Sequence, residues 1–340
     1  MIKIGQHKSL KQYNTFGINA KATYFTTIQS IEELQELLQL PLYQNEKHLI
    51  LGGGSNVLFT NDFNGLVIKV ESRGIYIVEE TDETITLKVN AGEVWHDLVA
   101  YCVQHDWGGI ENLSLIPGLT GAAPIQNIGA YGVEIKNVIN GVEGVDLKTG
   151  TMKSFKNAEC CFGYRESAFK LEWKEKYFIS SITLRLTKRN YKINHEYGAI
   201  QEVLKQHHIH HATIKDISDA VIAIRQSKLP DPLLIGNAGS FFKNPTVSKD
   251  VYHAIKANHP TIQSYSIDSQ SFKVPAGWLI EQCGWKGKKF GGIGVHPFQA
   301  LVLVNYGNGN GEEIFELAMK IKQSVKEKFG VILNTEVNII

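Results

Sequence analysis

The chain lacks what would tie it to an oxidising compartment, a membrane or a polyanion. Four cysteines occur in 340 residues: Cys102, Cys160, Cys161 and Cys283. None forms a Cys-x-x-Cys pair, and the adjacent Cys160 and Cys161 are poorly placed to bridge each other. This usage argues against a disulfide scaffold and suits a reducing environment. No apolar run approaches the about 20 residues that span a bilayer. Residues 1–10 lack the apolar core of a secretory leader. Neither sign of charge is in excess: 35 Lys and Arg face 34 Asp and Glu, a net charge of +1. Such balance leaves no electrostatic footprint for nucleic acid or a membrane surface. The expected setting is the cytoplasm, and the expected state a monomer without membrane insertion.

What is present is an ordinary globular composition, 43% hydrophobic and 20% charged. The length predicts about two or three domains. Short apolar or alternating runs predict strands at 49–51, 66–70, 75–78, 84–89, 138–147, 177–187 and 301–305. Ser30, with Glu33 three residues on, reads as a capping box before the face Leu34, Leu37, Leu38. Further helices are expected over about 94–103, 198–208, 216–224 and 312–329. In the last, Ile314, Leu317, Ala318, Ile321 and Val325 make the stripe and Gly330 ends it. Residues 335–340 read as an apolar terminal strand interrupted by Glu336, a local inconsistency of the kind that marks function. Boundaries are expected near 70 and 212, with the final strand returning to the first domain.

Three stretches break these patterns. Residues 236–245, Gly-Asn-Ala-Gly-Ser-Phe-Phe-Lys-Asn-Pro, place one hydroxyl, Ser240, beside an apolar wall. Without helical or strand periodicity, they read as a rigid loop carrying that hydroxyl, with a plain turn before a strand equally open. The strand at 49–51 runs into Gly52, Gly53, Gly54, Ser55 and Asn56. Val57 occupies the third glycine position of a dinucleotide fingerprint and no helix follows, so a Rossmann unit is excluded. A phosphate-holding nest of N–H groups and a tight structural turn both remain open. Residues 115–132 combine small residues with two amides, a composition that lets backbone approach a large flat ligand more readily than it serves plain packing. The histidines at 207, 208, 210 and 211 lack partner ligands at a recognised spacing, so a solvated helix end is favoured over a metal site and no metal is expected. Arg165 taken alone reads first as a surface partner of Glu166 or of another acid, rather than as a functional group.

Taken in order, the triple-glycine turn, the 116–132 loop, Tyr164-Arg165-Glu166-Ser167, the Ser240 segment and the terminal Glu336-Val337 resemble the UDP-N-acetylenolpyruvoylglucosamine reductase family. The likeness covers nearly the whole chain. Tyr197-Gly198 is similar to the tyrosine loop of its longer, type I form. The resemblance implies an α+β chain: a vanillyl-alcohol-oxidase/PCMH-type FAD domain of two α+β subdomains and a C-terminal α+β substrate domain. These would span 1–70 (with 331–340 returning), 71–211 and 212–330. It implies non-covalent FAD held by Gly52, Gly53, Gly54, Ser55 and Asn56 and by Pro117, Gly118, Thr120, Gly121, Ala122, Gln126, Asn127, Gly129, Ala130, Tyr131 and Gly132. NADPH would reduce the flavin, and a UDP-sugar bearing an enolpyruvyl group would take the hydride. By the same resemblance Ser240 protonates C2, and Arg165 and Glu336 bracket the enolate-like charge. Lys228 and Asn244 would hold the diphosphate, Tyr197 would close over it, and Gln299 would be a further contact. Two other classes stay in view: an oxidase of small alcohols with covalent flavin, and a nucleotide-sugar binder without flavin.

Overall fold

The computed structural model describes residues 2–340. The chain divides into two compact units that exchange segments. The first comprises Met1–Lys8, Ala22–Gly53 and Asn64–Ser227, the second Ser9–Lys21, Gly54–Phe63 and Lys228–Ile340.

In the first unit, strands Gly5–Ser9, Lys21–Ile28, Phe63–Val70 and His48–Leu51 form one sheet in that spatial order, the last pair parallel. A five-stranded antiparallel sheet runs Met152–Lys156, Ile139–Asp146, Tyr177–Thr187, Thr84–Asn90 and Ile75–Glu80. Alternation decides its faces: Ile85, Leu87 and Val89 are fully buried and pack with Trp95, Leu98, Val99 and Cys102 of the helix Trp95–Gln104. Ser30 caps the helix Ile31–Leu38, its Oγ accepting from the Glu33 N–H at 3.2 Å. The Glu33 carboxylate takes the Gln29 N–H at 2.7 Å.

The helix expected over 216–224 runs from Ile214 to Lys228. Thr213 and Asp216 start it reciprocally, the Asp216 N–H donating to Thr213 Oγ1 and the Thr213 N–H to Asp216 Oδ2. Its Ile217, Ala220, Val221 and Ile224 pack with Ile200 and Leu204 of the helix Gly198–Gln206. The two compact units divide the chain after Ser227, near the end of this helix.

In the second unit, Gly236–Ser240, Val302–Asn305, Ile293–Val295 and Lys289–Phe290 form an antiparallel sheet. The helix Gly311–Phe329 packs on its central strands, burying Ile314, Leu317, Ile321 and Val325. Asn310 and Glu313 cap that helix reciprocally, and Gly330 ends it at φ 68°. The loop expected at 236–245 is thus a strand as far as Ser240. It is an edge strand, irregular between Asn237 and Ser240, and the hydrophobic Val302–Asn305 beside it supplies the pairing its own composition does not announce. The terminal strand is shorter than expected: Asn338–Ile339 pairs in parallel with Val57–Leu58, and Thr335 adds an isolated antiparallel bridge to Phe242.

Candidate functional site

In the first unit, the two glycine-rich stretches meet. A Cβ on Gly53 would lie 2.8 Å from the Gly118 Cα, and one on Gly121 would lie 2.5 Å from the Ala91 Cβ. The 115–132 segment is clamped to the chain before the helix Trp95–Gln104. Gly121 N–H donates to Ala91 O (2.9 Å), Thr120 N–H to Glu93 O (2.8 Å) and Trp95 N–H to Gly118 O (3.0 Å). Thr120 is fully buried, its hydroxyl also on Glu93 O. Part of the small-residue pattern therefore serves packing within the protein.

Strain concentrates here. Leu115 (φ 56°), Asn127 (43°), Tyr131 (49°) and Arg165 (56°) are four of the ten non-glycine residues with positive φ among the described residues. Each such conformation costs on the order of 1–3 kcal/mol and persists where the surroundings over-determine it. Asn127 is one case: its amide donates to Glu134 Oε2 (3.1 Å) and Gly163 O (2.8 Å) and accepts from Lys136 N–H (3.2 Å). Those bonds make it a support of the loop. Gly129–Ala130 pairs with Val133–Glu134, turning the chain at Tyr131 and Gly132. Arg165 stands at the tip of a turn closed by Gly163 and Glu166, and its Nη2 donates to Gly129 O at 2.8 Å. The Tyr197 ring, 44% exposed, meets the Tyr131 ring edge-on at 5.2 Å.

Sequence reasoning passed over Arg225, on the helix Ile214–Lys228. Its Nε donates to Leu115 O at 3.2 Å and its guanidinium bonds the Tyr131 hydroxyl, so it grips both ends of the 115–132 segment. Leu115 N–H in turn donates to His96 Nδ1 at 3.0 Å. Desolvation first, then repulsion from Arg165, hold the Arg225 pKa below the usual arginine value, while Tyr131 opposes them. Desolvation raises the Tyr131 hydroxyl and lowers His96, so both neighbours favour neutral forms. The signal was spacing: Ile214, Ser218 and Val221 are buried, and Arg225 continues that stripe.

In the second unit, Gly54 lies at φ 64°, where a Cβ would stand 1.9 Å from Tyr13 O. Asn56 Nδ2 donates to the Glu336 carbonyl at 3.3 Å, and Glu336 N–H donates to Phe241 O at 2.8 Å. Lys243 N–H donates to Asn334 O, so 241–243 and 334–336 run side by side, one residue from Ser240. Ser240 pairs with Val302, while Phe241 and Phe242 are buried. Glu336 is partly exposed. Asn244 Oδ1 accepts from Ala276 N–H at 2.9 Å at the start of the helix Ala276–Gln282. Gln299 Oε1 takes the Leu301 N–H at 3.4 Å, and Lys228 is exposed at its helix end.

The histidines at 208, 210 and 211 border a cleft of about 610 Å³ with His195, Lys205 and Leu204. Among the described residues, no three His, Cys, Asp or Glu side chains are grouped to hold a metal ion.

Comparison with known proteins completes the picture. Residues 22–156 match a family model described as an FAD binding domain. Residues 231–340 match the UDP-N-acetylenolpyruvoylglucosamine reductase C-terminal domain. A protein of Flavobacterium johnsoniae named UDP-N-acetylenolpyruvoylglucosamine reductase is 50% identical over 339 residues, 100% of each chain. The chain belongs to the UDP-N-acetylenolpyruvoylglucosamine reductase family. A relative of that name from Amoebophilus asiaticus is 48% identical over 97% of each chain. The crystal structure of the Thermus caldophilus reductase superposes with a TM-score of 0.69 at 22% identity, covering 100% of this chain and 98% of that one. The fold is that of the reductase family, with a PCMH-type FAD domain and the family's C-terminal domain, as expected.

The residues present fit a flavin dinucleotide. Asn112 Oδ1 is buried with no hydrogen-bond partner among the described residues and would accept from a ring N–H. Among the described residues Arg225 has no carboxylate partner, and it would meet negative charge. Gly53 and Gly118 bring two backbones together with no side chain between them.

Proposed function

We propose that the protein reduces UDP-N-acetylglucosamine enolpyruvate to UDP-N-acetylmuramate, using NADPH through non-covalently held FAD, in peptidoglycan precursor synthesis. The observation that carries this is 50% identity along the entire length to a reductase of that name. FAD would lie against Gly52–Asn56 and the 115–132 segment, where it supplies the hydride capacity the side chains lack.

The protein's own part is charge and proton placement. Reduction at C3 of the enolpyruvyl group leaves negative charge at C2 and on the carboxylate. Arg165, held in its strained turn, is assigned to that charge, and fixed cations stabilise it most when preorganised. Glu336 is assigned to the same group. Ser240 is assigned the proton for C2, its strand fixing the hydroxyl and Phe241 and Phe242 excluding water beside it. Lys228 and the Asn244 amide are assigned to the diphosphate, Tyr197 to closing over it, and Gln299 to a further contact. The reading also keeps two FAD subdomains, 1–70 and 71–211, a substrate domain over 212–330, and a cytoplasmic monomer. Among the described residues no helix is long and apolar enough to cross a membrane.

The test is direct. Purified protein should be yellow, should release FAD on acid precipitation, and should oxidise NADPH only when the enolpyruvyl substrate is added. A chromophore that stays with the precipitate would favour a covalent-flavin oxidase. Folded protein that takes up no FAD would defeat the flavoenzyme reading.

A further inference from the structure

Arg225 presents a charge that the protein does not balance. It is partly buried, it donates to one carbonyl and one hydroxyl, and among the described residues no carboxylate pairs with it. Its titratable neighbours are Tyr131 and His96, both held toward their neutral forms, and a second cation, Arg165. A desolvated cation without a counter-ion is costly, and evolved sites that keep one use it on an anion. Its anchors fix where that anion belongs. Leu115 and Tyr131 are the two ends of the segment assigned to the cofactor, and both are strained. Arg165, the residue assigned to the substrate carboxylate, is its electrostatic neighbour.

We propose that Arg225 is a further charge-stabilising residue of this reaction, the counter-charge for a delocalised anion at the reaction centre. Two sources have that chemistry: the isoalloxazine ring in its reduced state and the carboxylate of the enolpyruvyl group. The inference rests on the flavoenzyme reading above. It adds that the guanidinium contributes charge, beyond tethering the loop.

The experiment uses FAD-loaded wild type, Arg225→Gln and Arg225→Lys. Gln keeps a donor and removes the charge, whereas Lys keeps the charge. If the flavin is the source, Arg225→Gln should bind reduced FAD about tenfold more weakly relative to oxidised FAD. That appears as a midpoint potential lower by about 30 mV for each tenfold. If the carboxylate is the source, affinity for UDP-N-acetylmuramate should fall about tenfold, with affinity for UDP-N-acetylglucosamine, which lacks the carboxylate, unchanged. In either case Arg225→Lys should recover most of the loss. An unchanged potential and unchanged affinities overturn the proposal, as do equal losses in both variants, which would mark a tether alone. If Arg225→Gln does not fold, the arginine side-chain NMR signals of ¹⁵N-labelled wild type decide, with Arg225→Lys giving the assignment. The Arg225 Nε–H should shift on dithionite reduction or on adding UDP-N-acetylmuramate, and a signal unmoved by both overturns the proposal. Wild type that binds no FAD would instead sink the underlying reading.

Discussion

Asn56, on the triple-glycine turn, hydrogen-bonds the main-chain carbonyl of Glu336, 280 residues away in sequence. Asn338 answers it, donating to Asn56 O from both its N–H (3.1 Å) and its Nδ2 (3.0 Å). One side chain thus ties a turn assigned to the cofactor to the backbone of a residue assigned to the substrate. Asn56→Ala should cost about 0.5–1.5 kcal/mol, the net worth of such a bond. The amides of 336–340 should exchange with deuterium faster than in wild type. Unchanged exchange there would show that the Val57–Leu58 pairing alone holds the segment.

Gly53 is predicted to tolerate no side chain. Its Cβ would meet backbone, the Gly118 Cα at 2.8 Å, and backbone cannot rotate aside. Gly53→Ala should lower stability by roughly 1–3 kcal/mol and leave the protein with less than stoichiometric flavin. Urea titration and the ratio of flavin to protein absorbance measure both. Full flavin content with wild-type stability would mean that the two segments move apart freely.

Lys228 lies exposed at the end of its helix, where losing it should cost little stability. As a diphosphate ligand it should contribute ~1.5–3 kcal/mol, roughly tenfold to a hundredfold in affinity. Lys228→Ala should therefore weaken UDP-N-acetylmuramate binding by that factor in calorimetry while the flavin spectrum stays normal. Wild-type affinity would remove Lys228 from the site.

Glu111 gives a pH prediction. It is 4% exposed, and its Oε2 accepts from Gly109 N–H at 2.6 Å. Burial raises its pKa above 4.5, outweighing the backbone hydrogen bonds that lower it. The folded state then binds the proton more tightly than the unfolded state. The stability this contributes is full below about pH 4.5 and is lost as pH rises through the folded pKa. Glu111→Gln should flatten the fall in urea midpoint between acid and neutral pH. Parallel pH profiles for wild type and variant would mean that Glu111 titrates as it does in the unfolded chain.

The fold was most legible where periodicity was strong. The alternation of Ile85, Leu87 and Val89 and the stripe from Ile314 to Val325 mark their elements without help from the rest of the chain. Ser240 was found as a singular hydroxyl, yet its strand was not, because Gly236–Ser240 takes its order from Val302–Asn305 and has almost no side chains of its own to alternate. Arg225 escaped notice for the opposite reason. A lone arginine just past the expected end of a helix reads as surface, and only the fold brings Leu115 and Tyr131 to it. The glycines of the 115–132 segment were read toward a ligand, while Gly121 against Ala91 shows that some serve close packing.

The central claim is that Ser240 delivers the proton and that reduction of the flavin does not need it. Stopped-flow absorbance of Ser240→Ala separates the two. The account predicts bleaching by NADPH at a near-normal rate, followed by reoxidation with the enolpyruvyl substrate slowed by at least the ~10²–10⁴-fold expected for losing a general acid. Reoxidation at the wild-type rate would contradict it. Failure of NADPH to bleach the variant would assign the Ser240 strand to holding the cofactor instead.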